Sequence, residues 1–199
     1  IVEGITEWLP ISSTGHLILL NEWLPFRFTD NAELAAEFWQ MFEVVIQLGA
    51  ILAVVILFWN RLWPFGSRKT SIEKKQTWSL WLKVVIGCVP AGLVGVIGDK
   101  ILEKISGKSI DGWLYNAVVV AIALIVYGVA FILIEKLKKP DSERIHSTAE
   151  LDCRTALLIG LFQMLSIIPG TSRSGSTILG AMLLGLSRAA AAEFSFFMA

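Results

Sequence analysis

EGITEWLPISSTGH, residues Glu3–His16, gathers two carboxylates, a run of hydroxyls and an imidazole into one short polar stretch of an apolar chain. Glu3 and Glu7 are four apart, so on a helix they stack on one face. Pro10 interrupts any continuous helix. Ser12-Ser13-Thr14-Gly15 then reads as a turn or as the N-cap of a second helix, whose first N–H groups point outward unsatisfied. Two short helices around a proline break form a hairpin, and the groups collected at its tip have the composition of a phosphate site.

The remainder of the chain identifies the medium. Its 199 residues are 55% hydrophobic and 17% charged, with a mean hydropathy of +0.66. A soluble domain carries about 25% charged residues, so the composition is that of a multi-pass membrane protein. The net charge is zero, which gives no indication of a nucleic-acid partner. Cys88 and Cys153 show no CxxC or ligand spacing and read as inert thiols. The chain starts at Ile1 inside the hairpin and stops at Ala199 within an apolar run, with no signal peptide in view. The expectation is a fragment that lacks an N-terminal half-helix and several C-terminal helices.

Three segments are long enough to span a bilayer, which takes about 20 apolar residues: Phe42–Trp59, Leu80–Gly98 with Lys83 snorkelling near one end, and the uncharged Trp113–Ile134. Trp39, Trp59, Trp63, Trp78, Trp81 and Trp113 fall at or just beyond span ends, as an interfacial aromatic belt requires. The loop Asn60–Thr77 carries Arg61, Arg68, Lys69, Lys74 and Lys75 against Glu73 alone. Glu135–Arg154 is also rich in bases, though matched by acids, whereas Asp99–Gly112 is balanced. The positive-inside rule puts the first two loops in the cytoplasm and the third outside.

Two apolar stretches are too broken to span. One is Ile1–Leu20, and the other is Thr155–Leu186, interrupted by IPGTSRSGST from Ile168 to Thr177. Each reads as a re-entrant hairpin, tolerated where it is buried in protein or lines a wet cavity. GITEWLPISSTG at Gly4 lines up with GLFQMLSIIPGTSRSG at Gly160, and AAEFWQMFEVV at Ala35 with AAAEFSFFMA at Ala190. Three spans, an odd number, separate the hairpins, so they enter from opposite faces. The expected fold is therefore all-α and polytopic: one membrane-embedded domain over residues 1–199, built of inverted-topology repeats (about 1–98 and about 113–199) whose hairpin tips meet near the midplane.

Ionisable groups at membrane depth are functional candidates. In the second hairpin Arg173 lies beside Ser172, Ser174, Thr177 and Gly170, a set that suits a phosphate through its bidentate fork, hydroxyl donors and helix-start N–H groups. Glu3 and Glu7 either hold a hard divalent cation, Mg²⁺ or Ca²⁺, with Glu7 also the candidate base, or neutralise Arg173. Ser12 and Thr14 serve equally as phosphate contacts or as caps. Ser13, three residues before His16, is the candidate nucleophile, and His16 is either its helper or a satisfied interior histidine. His146 reads as solvated. Glu43 and Gln47 share a helix face, either lining the site entrance or, the preferred reading, sitting at the interface.

At these residues the chain resembles the undecaprenyl-diphosphate phosphatase family, the UppP or BacA proteins of bacitracin resistance. ExxxE leading into PxSSTGH (Glu3, Glu7, Pro10, Ser12–His16) matches one signature, and PGxSRSxxT (Pro169, Gly170, Ser172–Ser174, Thr177) matches the other. FEVVIQLGAILAVV at Phe42 and the ending from Ser187 are also similar. The resemblance implies a bacterial plasma-membrane enzyme that removes the terminal phosphate of undecaprenyl diphosphate and regenerates the carrier for peptidoglycan synthesis. It further implies divalent-metal dependence, a site open to the outer face, and homodimers. Attack by Ser13 and attack by a metal-activated water both fit. The rival class is a transporter or flippase for a polyprenyl phosphate or another anion, from which two acids beside a serine and a histidine argue away.

Overall fold

The computed structural model describes residues 1–24, 29, 31–67, 69–106, 117–137, 143–168 and 170–199, the side chains of residues 32, 99, 102 and 117 excepted. Trp113, Pro169, Arg68 and the end of the Asp99–Gly112 loop lie outside the described residues.

Six of the helices start where a short polar side chain, Ser12, Asn31, Thr70, Asp152, Ser172 or Ser187, accepts one of the first free N–H groups. After α1 (Val2–Thr6) and α2 (Ser13–Trp23), Asn31 opens α3 (Ala32–Leu57) by accepting from Glu33 N at 3.0 Å. A short α4 (Trp59–Leu62) leads to α5 (Ser71–Leu93), which begins with a reciprocal Thr70–Glu73 capping box. Pro90 sits inside α5 and removes a ladder donor. The helix loosens into a π segment, Val94–Gly98, before α6 (Asp99–Ser106). The chain continues through α7 (Ala117–Leu137), α8 (Cys153–Gln163), a 3₁₀ turn (Met164–Ile167), α9 (Arg173–Leu183) and α10 (Arg188–Phe197).

Three helical stretches among the described residues are long and apolar enough to cross a membrane: Glu33–Leu57, Ser71–Ile105 and Val118–Leu137. They overlap the three expected spans; the first two begin earlier than expected, because the capping residues Asn31 and Thr70 extend α3 and α5 backwards by polar turns that hydropathy alone does not count. The two broken stretches fold as helix–turn–helix pairs, α1 against α2 and α8 against α9.

The packed core lies where α5, α8, α9 and α10 meet. Leu80, Val84, Ala156, Ile159, Ile178, Ala181, Ala191 and Phe194 form one buried cluster. The most extensive helix contact is between α5 and α8, and it is backbone on backbone. A Cβ on Gly160 would stand 2.1 Å from the Gly87 carbonyl oxygen, so only glycine fits this crossing. By contrast α3 and α7 leave most of their apolar surface uncovered.

Lys83 departs from the snorkelling expectation. It is 6% exposed, and its Nζ donates to the carbonyls of Ala149 at 3.2 Å and Thr148 at 3.4 Å. The segment after α7 folds back over the end of α5 and supplies oxygens that the ammonium would otherwise have sought in water. Four of the tryptophans expected at span ends gather here: Trp59 stacks on Trp63 at 4.9 Å, Phe65 lies between Trp63 and Trp78, and Trp81 donates to the Leu62 carbonyl at 2.8 Å.

Candidate active site

The two hairpin tips form one site. In the first, Ser12 caps α2 from a left-handed conformation, φ 61°, rare for a residue with a Cβ, and accepts from Gly15 N at 3.2 Å. Glu7 ends α1 in helical geometry, its N–H bonded to the Glu3 carbonyl at 2.9 Å, so the two acids stack as their spacing predicts. In the second tip, Ser172 caps α9 and accepts from Gly175 N at 3.0 Å. The chain reaches it through Gly170 at φ +87°, where a Cβ would stand 2.7 Å from the Val120 carbonyl of α7. A Cβ on Gly175 would come within 3.2 Å of the Pro10 carbonyl, so the tips approach closely only because that residue has no side chain.

One carboxylate joins them. Arg173 Nη2 donates to Glu7 Oε1 at 3.1 Å, while Ser13 Oγ donates to Glu7 Oε2 in a short contact. A nucleophile candidate, an acceptor for its proton and a guanidinium thus lie in a row across two hairpins 166 residues apart. A cleft of about 290 Å³ opens on this row and is lined by Ser12, Ser13 and Thr14 on one side and Gly170, Ser172 and Ser174 on the other. Ser172 and Ser174 share a 3.1 Å hydrogen bond.

Not every expected residue faces this cleft. Among the described residues His16 makes no hydrogen bond to Ser13: its Nδ1 lies 2.8 Å from the Ser12 carbonyl, so Nδ1 carries the proton. The left-handed Ser12 turns its carbonyl over the first turn of α2, where the side chain four residues on meets it. Thr177, expected to bind phosphate, is 1% exposed. Its hydroxyl is bonded to the Arg173 carbonyl at 3.0 Å and to Ser195 Oγ of α10 at 2.6 Å. It fixes the backbone that carries Arg173. Glu43 is buried and accepts from Trp39 Nε1 at 2.9 Å.

Other groups enter that spacing did not single out. Gln47, preferred as an interface residue, lines the cleft, because α3 packs against α1. Thr171 and Ser166 line it too; the only signal for them is their place in or beside the IPGTSRSGST break. Ser176 Oγ lies 2.9 Å from both the Ser172 carbonyl and the Tyr127 hydroxyl, which ties α9 to α7.

The donor set fits a hard cation. Both Glu3 oxygens are buried without a hydrogen-bond partner among the described residues, and Glu7 stands one turn away. No group of three His, Cys, Asp or Glu side chains is positioned for a metal among the described residues. A pair of carboxylates completed by phosphate oxygens suits Mg²⁺ or Ca²⁺.

A family profile described as "Bacitracin resistance protein BacA" matches residues 1–199. The chain belongs to the BacA family. Among curated BacA relatives named undecaprenyl-diphosphatase, one from Enterococcus faecalis is 52% identical over 201 residues, covering 100% of this chain and 68% of the relative. One from Acetivibrio thermocellus is 53% identical over 199 residues, with the same coverages of 100% and 68%. One from Streptococcus thermophilus is 52% identical over 198 residues, covering 100% of this chain and 64% of the relative. In this BacA chain the matched length contains both hairpins, and with them every group in the row.

Proposed function

We propose that this BacA-family chain hydrolyses undecaprenyl diphosphate to undecaprenyl phosphate and inorganic phosphate, and so recycles the lipid carrier of peptidoglycan synthesis in a bacterial plasma membrane. The observation that carries the mechanism is the Ser13–Glu7–Arg173 row.

Ser13 Oγ attacks the terminal phosphorus. The Oγ–P bond forms, Glu7 takes the hydroxyl proton, and the bond from phosphorus to the bridging oxygen breaks, releasing undecaprenyl phosphate. Glu7 then gives up that proton to solvent, takes one from the water that attacks the phosphoserine, and returns it to Ser13 Oγ as the Oγ–P bond breaks, which restores Ser13 and frees inorganic phosphate. Arg173 exchanges Glu7 for phosphate oxygens, and its fork bears the charge that grows on them. The hydroxyls of Ser12, Thr14, Ser172 and Ser174 and the first N–H groups of α2 and α9 complete the cradle. Glu3 and Glu7 would hold a divalent cation, which when bound neutralises charge on the diphosphate.

The same proposal includes the architecture: two re-entrant hairpins related as inverted repeats, entering from opposite faces, with the site open to the outer side. The three long apolar helices between the hairpins and the basic loop at Arg61–Lys75 support it. The uncovered faces of α3 and α7 suit lipid, and pairing of two copies belongs to the same reading.

The test is phosphate release from undecaprenyl diphosphate by the purified protein in detergent. Ser13→Ala and Glu7→Gln should each lose about 10³-fold or more in turnover, and Arg173→Ala at least about 10²-fold. EDTA should suppress the activity and added Mg²⁺ or Ca²⁺ restore it. Near-full turnover by Ser13→Ala would assign the attack to water.

A further inference from the structure

The cleft is not the only space that meets Glu7 and Arg173. A narrow gap of about 20 Å³ lies behind them, bounded also by Ser174, Trp8, Ala50 and Phe196. Beyond it a chamber of about 730 Å³ opens among α1, α2 and α3, and Trp8 and Ala50 belong to its wall as well. The chamber is mainly apolar, with Leu17, Leu20, Phe42 and Ile46 on its sides. Glu3, Asn21 and Trp39 are residues with polar groups in its lining, Glu3 one helical turn from Glu7. Polar cleft, gap and apolar chamber are therefore consecutive spaces with shared walls, and the indole of Trp8 stands between the last two. The ring is half-buried and packs on Phe196 with centroids 5.0 Å apart.

We infer that Trp8 is a specificity-determining residue: it forms the neck through which the first isoprene units of the polyprenyl diphosphate leave the phosphate cleft for the chamber among α1, α2 and α3. The inference rests on the phosphatase reading. The occupant follows from continuity. A substrate whose diphosphate lies against Arg173 must send its tail from that point into apolar surroundings, and the gap at Trp8 leads from Arg173 to such a space. A gap of about 20 Å³ holds no more than about one water, so the tail displaces the indole. An aromatic wall at the neck then rewards a flat, unsaturated chain and gives nothing to a tail-less diphosphate. The chamber floor carries a built-in test position: a Cβ on Gly49 meets nothing within 4 Å. A larger side chain there occupies the chamber without disturbing the helix.

The experiment compares kcat and KM of the purified protein for undecaprenyl diphosphate and for the five-carbon isopentenyl diphosphate. Gly49→Leu should raise KM for the long substrate by about tenfold, the equivalent of about two methylenes lost from apolar contact, and leave the short one within twofold. Trp8→Ala should lower the long-to-short ratio of kcat/KM by a similar factor, and Trp8→Phe should restore most of it. Equal losses on both substrates, or an unchanged ratio in both Gly49→Leu and Trp8→Ala, would overturn the inference. Failure of the parent protein to hydrolyse either diphosphate would instead overturn the activity beneath it.

Discussion

At the scale of single residues, Glu7 carries most of the consequence. Its two oxygens are divided between Ser13 and Arg173, so one side chain links the candidate nucleophile of the first hairpin to the guanidinium of the second. This arrangement separates Glu7 from Glu3. The Glu7→Gln variant retains an acceptor and the shape of the row but cannot take the proton, so it should bind substrate while losing turnover. Much of this was legible in the sequence, because a serine run, two acids and an arginine stand out in a chain that is mostly apolar. Gln47 was not, since a residue four after Glu43 on one helix face can look at headgroups or at the cleft, and only the packing of α3 on α1 decides. Tyr127 gave no signal at all within an uncharged span. For His16 the sequence left two readings open, helper of Ser13 or satisfied interior histidine, because proximity to Ser13 says nothing about where the Ser12 carbonyl turns.

At the scale of elements, the crossing of α5 and α8 and the start of α8 set the frame for the second hairpin. Gly160→Ala forces a methyl group into the Gly87 carbonyl and should destabilise by about 1–3 kcal/mol or more. Gly87→Ala meets chiefly the mobile end of Met198 at 2.9 Å and should cost less. Thermal unfolding of the two variants in detergent should rank them in that order. Asp152 caps α8 outside the apolar segments, and hydrogen bonds from the Thr155 side chain and backbone hold its carboxyl below the usual carboxylate range. A depressed native pKa means that the unfolded chain binds the proton first. The contribution is therefore whole above the unfolded carboxylate value and is lost as the pH falls through the lower native one. Asp152→Asn keeps an N-cap acceptor without the charge. It should flatten the acid side of the stability profile while leaving stability near neutrality almost unchanged, which unfolding midpoints between pH 3 and pH 7 would show.

At the scale of the whole molecule, the order of polar breaks and apolar runs announced the architecture more clearly than any single helix did. Hydropathy located the three long helices, and Pro10 and the IPG turn located the two that are broken. Lys83 shows the limit of such reading: a lone cation near a span end signals snorkelling until the loop that comes back to meet it is known. The proposed orientation can be checked by labelling. With Cys88 and Cys153 replaced by alanine, a cysteine at Ser67 should react with an impermeant maleimide only from the cytoplasmic side, and one at Glu33 only from outside. The opposite pattern would invert the site. The bond between Arg173 and Glu7 has a consequence for biogenesis as well. The groups it joins enter the membrane at different moments of synthesis, 166 residues apart. Until the later one arrives, Glu7 lacks the guanidinium that the finished fold sets beside it. On the proposed mechanism a half-inserted chain should release no phosphate, and hydrolysis should begin only when the second hairpin is in place.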